Sequence, residues 1–375
     1  MNLAYKKLRK NMCPFNRGFA IVRVAGLAAV FVATVAHAQD FSQNDLRVTP
    51  TEADRAAALG AKNVTRHAEP PSTSNASPSR TPSLITPRPA MNGKNTGNGD
   101  VSNAPLRPPG DVSYQGGAVV DSAESHAVYM NPNDTCKIST CWGDPEGYLR
   151  NLGISDFIHV ADQYVGLSSS GRYTVGNRAI FGYTPVKATT PGFTDYEPFT
   201  DADIQTIVHA VASVTGQTGY GHIYHVFLPQ GQDECFDSTF SECYSPDNPN
   251  TFAFCAYHSS VDFTDIGHVL YTVEPFQNNY GCAVKPGTPN GQLVDSTDNV
   301  LNHETFEAIT DPDGTAWWNS TNIGLYGEEV ADECTFAIST GWDVPTVFIG
   351  TRLFAVQRIY SNSQHTCSNQ PGGFE

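Results

Sequence analysis

An even set of eight cysteines constrains this chain more than any other feature, because disulfides decide which segments lie together. These cysteines all fall beyond residue 135, at Cys136, Cys141, Cys235, Cys243, Cys255, Cys282, Cys334 and Cys367. Eight cysteines permit too many pairings for the connectivity to follow from sequence, but proximity favours Cys136–Cys141 and Cys235–Cys243 as local bridges. A zinc site built from cysteines is the less favoured alternative, since no C-x-x-C pair occurs.

The first 38 residues predict a secretory signal peptide, which also contains the ninth cysteine, Cys13. Six basic residues precede a short apolar run over 24–35, and Ala36-His37-Ala38 matches the small-x-small cleavage pattern. The run is short for a membrane span, so an uncleaved anchor is the less favoured alternative. We therefore expect a secreted protein, extracellular or periplasmic, with no membrane span after cleavage and in a setting where disulfides persist.

The charge of the chain is strongly acidic. The formal charge of −16 becomes −22 when residues 1–38 are removed, since they contain six basic residues and no acidic ones. Beyond residue 112, 31 Asp and Glu face 8 Lys and Arg. Such a surface repels nucleic acid and anionic lipid, so we expect no nucleic-acid partner. The charge suits cation binding, although solubility alone explains it, and nothing indicates the oligomeric state.

Composition changes near residue 112. Residues 39–112 are rich in Pro, Ser, Thr, Asn and Gly, and too few large apolar groups occur there to offset the entropy of ordering. The sequence therefore predicts a disordered linker or pro-segment over 39–112, in which residues 45–61 could form a transient helix. Residues 113–375 are richer in aromatic and branched residues and contain the eight cysteines, and they suffice for one domain with a substantial core.

Hydrophobic periodicity predicts an α+β domain. The predicted helices span 154–165 and 201–215, and the predicted strands span 223–228, 251–261 and 268–273, after a β-rich stretch over 173–186. A last helix is predicted to begin at Ser296 or Thr297 and to end at Asp311-Pro312. This order parallels the core of the zinc peptidases called zincins, so we expect a single zincin-like domain with a mixed sheet.

The last predicted helix contains the most informative motif, His303-Glu304-Thr305-Phe306-Glu307. On a helix, His303 and Glu307 lie one turn apart on one face, as in the H-E-x-x-H helix of zinc proteases with the second His replaced by Glu. We predict that these two residues bind a metal and that Glu304 is the general base. A ligand set rich in carboxylates weakens the metal as a Lewis acid, so Zn²⁺ is expected, with Mn²⁺ or Ca²⁺ as alternatives.

A third ligand is expected from the acidic segment 327–334. Glu329 is predicted to bind the metal and Asp332 to orient His303 through its second ring nitrogen; a solvated acidic helix start is the alternative. His258 is a further catalytic candidate that would donate to an oxyanion or contact the metal, although a structural strand histidine is favoured. The hydroxyls of Tyr257 and Tyr271 are rival donors.

The motif and the segment that follows it resemble the phosphate-induced, or exordium-like, secreted proteins of plant cell walls and their bacterial relatives. That family has a similar H-E-x-x-E helix followed by an E-[IV]-x-D-x-C segment, and residues 224–229 and 255–258 also resemble it. The resemblance covers roughly residues 150–345. It implies a secreted protein whose plant relatives are associated with growth and cell expansion, with no reaction firmly attached, and it carries over His303, Glu304, Glu307, Glu329 and Asp332.

These observations predict a secreted metal-dependent hydrolase, most simply a zinc metallopeptidase acting on a peptide or cell-wall substrate. The alternative is a non-catalytic extracellular module that binds cell-wall glycan or protein, with a structural metal or none. A glycosidase is less favoured, because Glu304 and Glu307 on one helix turn lie too close together to flank a sugar.

Overall fold

A mixed β-sheet runs through the centre of the structure, a computed structural model that describes residues 41, 45–66, 110–131, 136–164, 173–175, 178–181, 187–248, 250–322, 325–335, 337–338 and 341–371. The predicted signal peptide and most of the predicted linker lie outside the described residues. The α+β class with a mixed sheet is confirmed.

The α-helices are α1 Glu52–Gly60, α2 Ile138–Cys141, α3 Pro145–Gly153, α4 Asp201–Thr215 and α5 Gln292–Thr310, and 3₁₀ turns cover Asp156–Gln163 and Asp332–Cys334. The strands are β1 Leu46–Val48, β2 Lys62–Arg66, β3 Ser113–Tyr114, β4 Ala123–Met130, β5 Tyr173–Val175, β6 Ala179–Phe181, β7 Phe199–Thr200, β8 His222–Phe227, β9 Glu234–Cys235, β10 Cys243–Tyr244, β11 Tyr257–Phe263, β12 Gly267–Glu274, β13 Trp317–Trp318, β14 Ala337–Ile338, β15 Gly341–Trp342, β16 Thr346–Ile349, β17 Arg352–Ala355, β18 Ile359–Ser361 and β19 Thr366–Ser368.

The central sheet has the strand order β1-β6-β4-β8-β12-β11-β2, with β5 beside β4. In this order, the neighbouring strands β1, β6, β4, β8 and β12 pair in parallel. Strand β11 is antiparallel to both of its neighbours, β12 and β2. Successive side chains of a strand point to opposite faces, so the sheet separates two cores. On β8, Tyr224 and Val226 pack with α4, whereas Ile223 and Phe227 pack on the face of α3 and α5.

Helix α5 differs from the prediction at its start and agrees at its end. It begins at Gln292, with Gly291 as a cap that has no side chain to offer. The prediction of a start at Ser296 or Thr297 is therefore wrong: the Ser296 hydroxyl accepts a hydrogen bond from the Val284 amide at 3.0 Å instead. Every residue from Asp295 to Thr310 is buried. A polar helix enclosed on all sides needs partners for its polar groups.

Of the other two predicted helices, one is confirmed and one is not. Helix α4 is confirmed at both ends, and the Thr200–Asp203 capping box fixes its start. The helix predicted over 154–165 is a 3₁₀ turn at Asp156–Gln163, preceded by α3, which the periodicity missed. The Asp144 side chain caps α3 and Pro145 occupies its first turn, and these local features outweigh the weak apolar pattern. The strand predicted over 251–261 is β11, which begins later, at Tyr257.

Residues 45–66 belong to the central sheet, although the predicted linker over 39–112 included them. Strand β1 pairs in parallel with β6, and β2 pairs antiparallel with β11. Between them α1 packs on α4, and the His209 ring and the Asp54 carboxylate meet at 2.8 Å. A short stretch of polar composition thus becomes ordered because the rest of the chain offers it two sheet edges and a helix.

Four disulfides link the chain. Cys136–Cys141 and Cys235–Cys243 are confirmed, and the other two are Cys255–Cys282 and Cys334–Cys367. They are consistent with an oxidising, extracellular location. Among the helices of the described residues, none has the length and apolar composition that crossing a membrane requires.

Candidate metal centre

The centre begins with the middle of α5, where helical spacing places His303 and Glu307 on one face. The His303 Nε2 and Glu307 Oε2 atoms lie 3.1 Å apart, and neither side chain is exposed. Both atoms lack a hydrogen bond of acceptable geometry, even though the distance between them would allow one. A nitrogen and an oxygen this close together without a hydrogen bond are compatible with two ligands of one cation.

The sheet contributes His258 from β11. Alternation along the strand turns Tyr257 and Val261 toward the α4 face and His258 toward α5, opposite Thr272 of β12. The His258 Nδ1 atom lies 3.5 Å from Glu304 Oε2 and 3.7 Å from Glu307 Oε2. The sheet thus closes the site from the side opposite to the helix.

The acidic segment after residue 327 supplies Asp332 and Glu329, but not as a helix that contains both. Asp332 starts the 3₁₀ turn, its amide donates to Glu307 Oε1 at 3.2 Å, and its Oδ1 lies 3.4 Å from His303 Nε2. Glu329 Oε2 lies 3.8 Å from His258 Nε2. The structure therefore brings Asp332 to the inner nitrogen of His303 and Glu329 to His258, which differs from the roles predicted for the two carboxylates.

Gln357 determines which nitrogen of His303 carries a proton. The Gln357 side-chain amide nitrogen donates to the Ala331 carbonyl at 2.9 Å, so its Oε1 faces His303 Nδ1, 3.3 Å away. An amide oxygen only accepts, so Nδ1 carries the hydrogen. The Nε2 atom of a neutral His303 therefore turns a lone pair toward the carboxylates of Glu307 and Asp332. This arrangement repels unless a cation, or a second proton, lies between them.

His258 is oriented in the same way. Its Nε2 lies 3.2 Å from the backbone carbonyl of Asp311, which again can only accept. The Nδ1 atom of neutral His258 therefore directs a lone pair toward Glu304 and Glu307. Both histidines donate from one nitrogen to a carbonyl oxygen and turn the other toward Glu307, as metal-binding histidines do.

The potential ligands form two groups that share one residue. One group is His303, Glu307 and Asp332, and the other is His258, Glu304 and Glu307; in each, one ligand atom per residue lies within 4.8 Å of the others. Tetrahedral ligands at about 2.0–2.2 Å from zinc lie about 3.3–3.6 Å from one another. The distances of 3.1–3.7 Å between the nearest atoms match this spacing. Both Glu304 oxygens lack a hydrogen-bond partner.

Burial and mutual repulsion shift the titration of these groups. Burial, together with the Glu307 and Glu274 carboxylates, raises the pKa of Glu304 well above its ordinary value, against the opposing effect of His303. Burial and the Asp332 carboxylate raise the pKa of Glu307 to about 7. Burial alone lowers the pKa of His303, but the surrounding carboxylates outweigh it and raise that pKa well above its ordinary value. The buried carboxylates of the cluster therefore compete with one another for a proton or for a bound cation.

Two residues of the site have no motif that could have revealed them. Gln357 is one, and Glu274 is the other: it is buried beside the cluster, one of its oxygens lacks a partner, and burial raises its pKa to about 8. The Thr272 hydroxyl donates to Glu274 at 2.9 Å and contacts His225 at 2.8 Å. Strand alternation and the register of β8 and β12 were the only clues to the position of Glu274.

The two tyrosines considered as oxyanion donors lie elsewhere. The hydroxyls of Tyr257 and Tyr271 donate to Asp201 at the start of α4, at 2.9 and 2.7 Å. They therefore hold α4 on the sheet face opposite to the metal centre. Trp317 packs edge-on against Tyr164, with the ring centroids 5.2 Å apart.

Comparison with known proteins found no match to this chain among family models, curated proteins or solved structures. The exordium-like resemblance therefore stays a prediction from the motifs.

Proposed function

We propose that this protein is a secreted, zincin-like, metal-dependent hydrolase whose cation is bound by His303, Glu307 and Asp332. Compared with the ligand set expected from sequence, Asp332 takes the position of Glu329. The proposed ion is Zn²⁺, with Mn²⁺ and Ca²⁺ as alternatives because two of the three ligands are carboxylates.

One observation carries the proposal: the hydrogen bond to Gln357 leaves His303 Nε2 facing two buried carboxylates. A neutral imidazole nitrogen in that position needs a cation or a second proton beside it, and the 3.1 and 3.4 Å separations suit atoms that bind one ion. Gln357 is then the group that orients the ligand, a task that such histidines assign to an outer partner.

A divalent cation at this position lowers the pKa of water and polarises a carbonyl group. Glu304 follows His303 directly and has two carboxylate oxygens without hydrogen-bond partners. It can therefore take a proton from an attacking water and return it to the leaving group.

The proposed substrate is a peptide, or a peptide-containing cell-wall polymer, outside the cytoplasm. The four disulfides and the expected signal peptide support an extracellular or periplasmic site of action. The acidic surface supports the absence of a nucleic-acid partner.

The test is Glu304→Gln in the purified mature protein. Removal of a general base costs about 10²–10⁴-fold in turnover, so hydrolysis of unfolded casein with added zinc should fall by that factor. The zinc ion bound by His303, Glu307 and Asp332 should remain, so elemental analysis after dialysis should still find at least one zinc per chain. Glu52→Gln, an exposed substitution on α1, is the matched control and should change neither quantity.

Unchanged turnover in Glu304→Gln would remove Glu304 from the mechanism. Loss of all bound zinc together with activity would make Glu304 necessary for the first ion and would remove the evidence for its role as a base. In both cases the measurement of zinc separates the chemical step from binding.

The burial of the centre favours a second candidate, a non-catalytic extracellular module with a structural cation. His258, His303, Glu304 and Glu307 are all fully buried, whereas catalytic zinc sites keep one position open to water and substrate. If this candidate holds, the wild-type protein binds zinc and is stabilised by it but shows no hydrolysis of casein. Binding of cell-wall glycan or of a protein partner would then be its activity.

A further inference from the structure

We propose that the centre holds two divalent cations, with Glu307 shared between them. The first ion is the one bound by His303, Glu307 and Asp332, so this inference rests on the proposed function. The second is bound by His258, Glu304 and Glu307.

The geometry separates two positions. Among the described residues, no potential ligand group contains both His258 and His303, and Glu307 is the member that the two groups share. Glu307 Oε2 is 3.1 Å from the nitrogen of one histidine and 3.7 Å from that of the other. A single ion would have to bring both rings into one coordination shell. With two ions, each histidine ring can bind one ion in its observed position.

The second position has an oriented histidine of its own. The Asp311 carbonyl at the end of α5 accepts from His258 Nε2, so the Nδ1 atom of neutral His258 faces Glu304 and Glu307 with a lone pair. Glu329 lies near the donating side, 3.8 Å from Nε2, where a carboxylate increases the basicity of a metal-binding histidine. Each element of the first position therefore has a counterpart in the second.

The charge of the cluster is compatible with more than one dication. When ionised, Glu304, Glu307, Glu329 and Asp332 contribute four negative charges, all in side chains that are buried or nearly so. The ion-pair partners of Glu304 and Glu307 are histidines. Two dications carry the four positive charges that balance this set, and a balanced set costs less free energy in a low-dielectric interior than an unbalanced one.

The second ion would also position the proposed base. It binds Glu304 through Oε2, the oxygen nearest to His258, and leaves Oε1 for proton transfer. Cations of a two-metal site lie about 3.5–4 Å apart and stabilise the attacking and leaving oxygens of a displacement together. The pair therefore suits hydrolysis of an amide or ester bond.

A third potential ligand group provides a control. It consists of Glu124, His126 and His222, and it is partly exposed. There His126 Nε2 and His222 Nδ1 form a hydrogen bond with each other at 3.0 Å. Because these two nitrogens satisfy each other, we expect no tightly bound ion at this group.

The experiment is a titration of the chelator-stripped full protein, disulfides intact, with Co²⁺. The number of bound ions is measured by equilibrium dialysis and elemental analysis. The magnetic coupling between the ions is measured by low-temperature electron paramagnetic resonance. Two Co²⁺ per chain are expected in the wild type, with a signal per ion that decreases as the second ion couples to the first through Glu307. His258→Asn should bind one ion with an uncoupled signal, and His222→Asn should still bind two coupled ions.

The failures are distinguishable. One Co²⁺ per chain in the wild type, with hydrolysis that still depends on Glu304, overturns the second position and leaves the proposed function intact. No bound Co²⁺ overturns both. Two uncoupled ions in the wild type, one of them lost in His222→Asn, overturn the shared site in favour of the third group. If His258→Asn does not fold, the coupling in the wild-type signal decides alone.

Discussion

A neutral amide does more to define this centre than any of its charged residues. The Gln357 side chain bonds to the Ala331 carbonyl and to His303, and its backbone amide donates to Asn299 of α5 at 2.8 Å. Two of these contacts are to α5 and the third is to the segment before Asp332, and together they direct the side-chain oxygen toward His303, which fixes its tautomer. Without that constraint, His303 Nε2 could carry the proton and simply pair with Glu307.

Removing the Gln357 oxygen should therefore weaken the first cation site. Gln357→Met keeps the length and burial of the side chain but leaves His303 Nδ1 without an acceptor. Loss of such an outer partner typically reduces metal affinity about 10–100-fold, and we expect the dissociation constant for Zn²⁺ to rise by that factor. Competition with a chromophoric chelator measures it.

Gln364→Met on the exposed turn before β19 is the control and should leave the affinity unchanged. An unchanged affinity in Gln357→Met would mean that His303 does not bind the ion through Nε2.

Sequence identified the histidines and carboxylates of the centre but not their partners. The H-E-x-x-E spacing has a fixed meaning on a helix, so His303, Glu304 and Glu307 could be named directly. Glu329 and Asp332 could be named but not ordered, because a turn before a 3₁₀ segment, and not a helix, decides which of them reaches His303. Gln357 could not be found, since no spacing rule links His303 to an amide 54 residues away along the chain.

At the scale of elements, the N-terminal segment shows how composition misleads. A stretch rich in polar residues predicted disorder, yet Thr51 and Asp54 form a complete capping box at the start of α1. Asp54 also contacts His209 of α4, whose other nitrogen lies 3.0 Å from Asp265. The capping box was visible in the sequence, but the partner on α4 was not, and local propensity without that partner yields only a transient helix.

The pKa of Asp54 predicts how this docking responds to pH. Burial by itself raises that pKa, but hydrogen bonds from Thr51 and His209 outweigh it and lower the pKa. A carboxylate with a depressed folded-state pKa stabilises the fold above its unfolded pKa of about 3.9, and this stability disappears as the pH falls through the folded value.

Asp54→Asn should therefore lower the free energy of unfolding by about 1–2 kcal/mol at pH 6, and the difference should shrink below pH 4. Urea unfolding at a series of pH values measures it. Hydrogen exchange should show the loss concentrated in α1. Glu52→Gln, two residues before Asp54 in the same helix and exposed, should change stability by less than about 0.5 kcal/mol. A loss in Asp54→Asn that does not depend on pH would contradict the ionic interpretation.

At the scale of the whole molecule, repulsion among the carboxylates of the candidate metal centre destabilises the fold, whereas the disulfides oppose that repulsion. Cys255–Cys282 ties the start of β11 to the loop before α5, and Cys334–Cys367 holds the segment of Asp332 against β19. These covalent links hold the carboxylates together even though they repel one another. Sequence could predict an even set of disulfides, but not that two of them flank the metal centre, because that depends on the long-range pairing.

Metal removal should consequently lower stability, and more so at higher pH. Without a cation, the folded-state pKa values of Glu307 and Glu274 are about 7 and 8, above their usual value of 4.5. The stability that a raised pKa provides is fully present below the unfolded value and is lost as the pH rises through the folded one. The melting temperature of the chelated protein should therefore fall as the pH rises from about 4.5 to 8.

Zinc at a hundred times its dissociation constant should restore about 2.7 kcal/mol, or roughly 5–10 °C, at pH 7.5. His303→Asn should lose most of this response in calorimetry while His222→Asn keeps it, and an equal response in both variants would place the stabilising ion outside the centre.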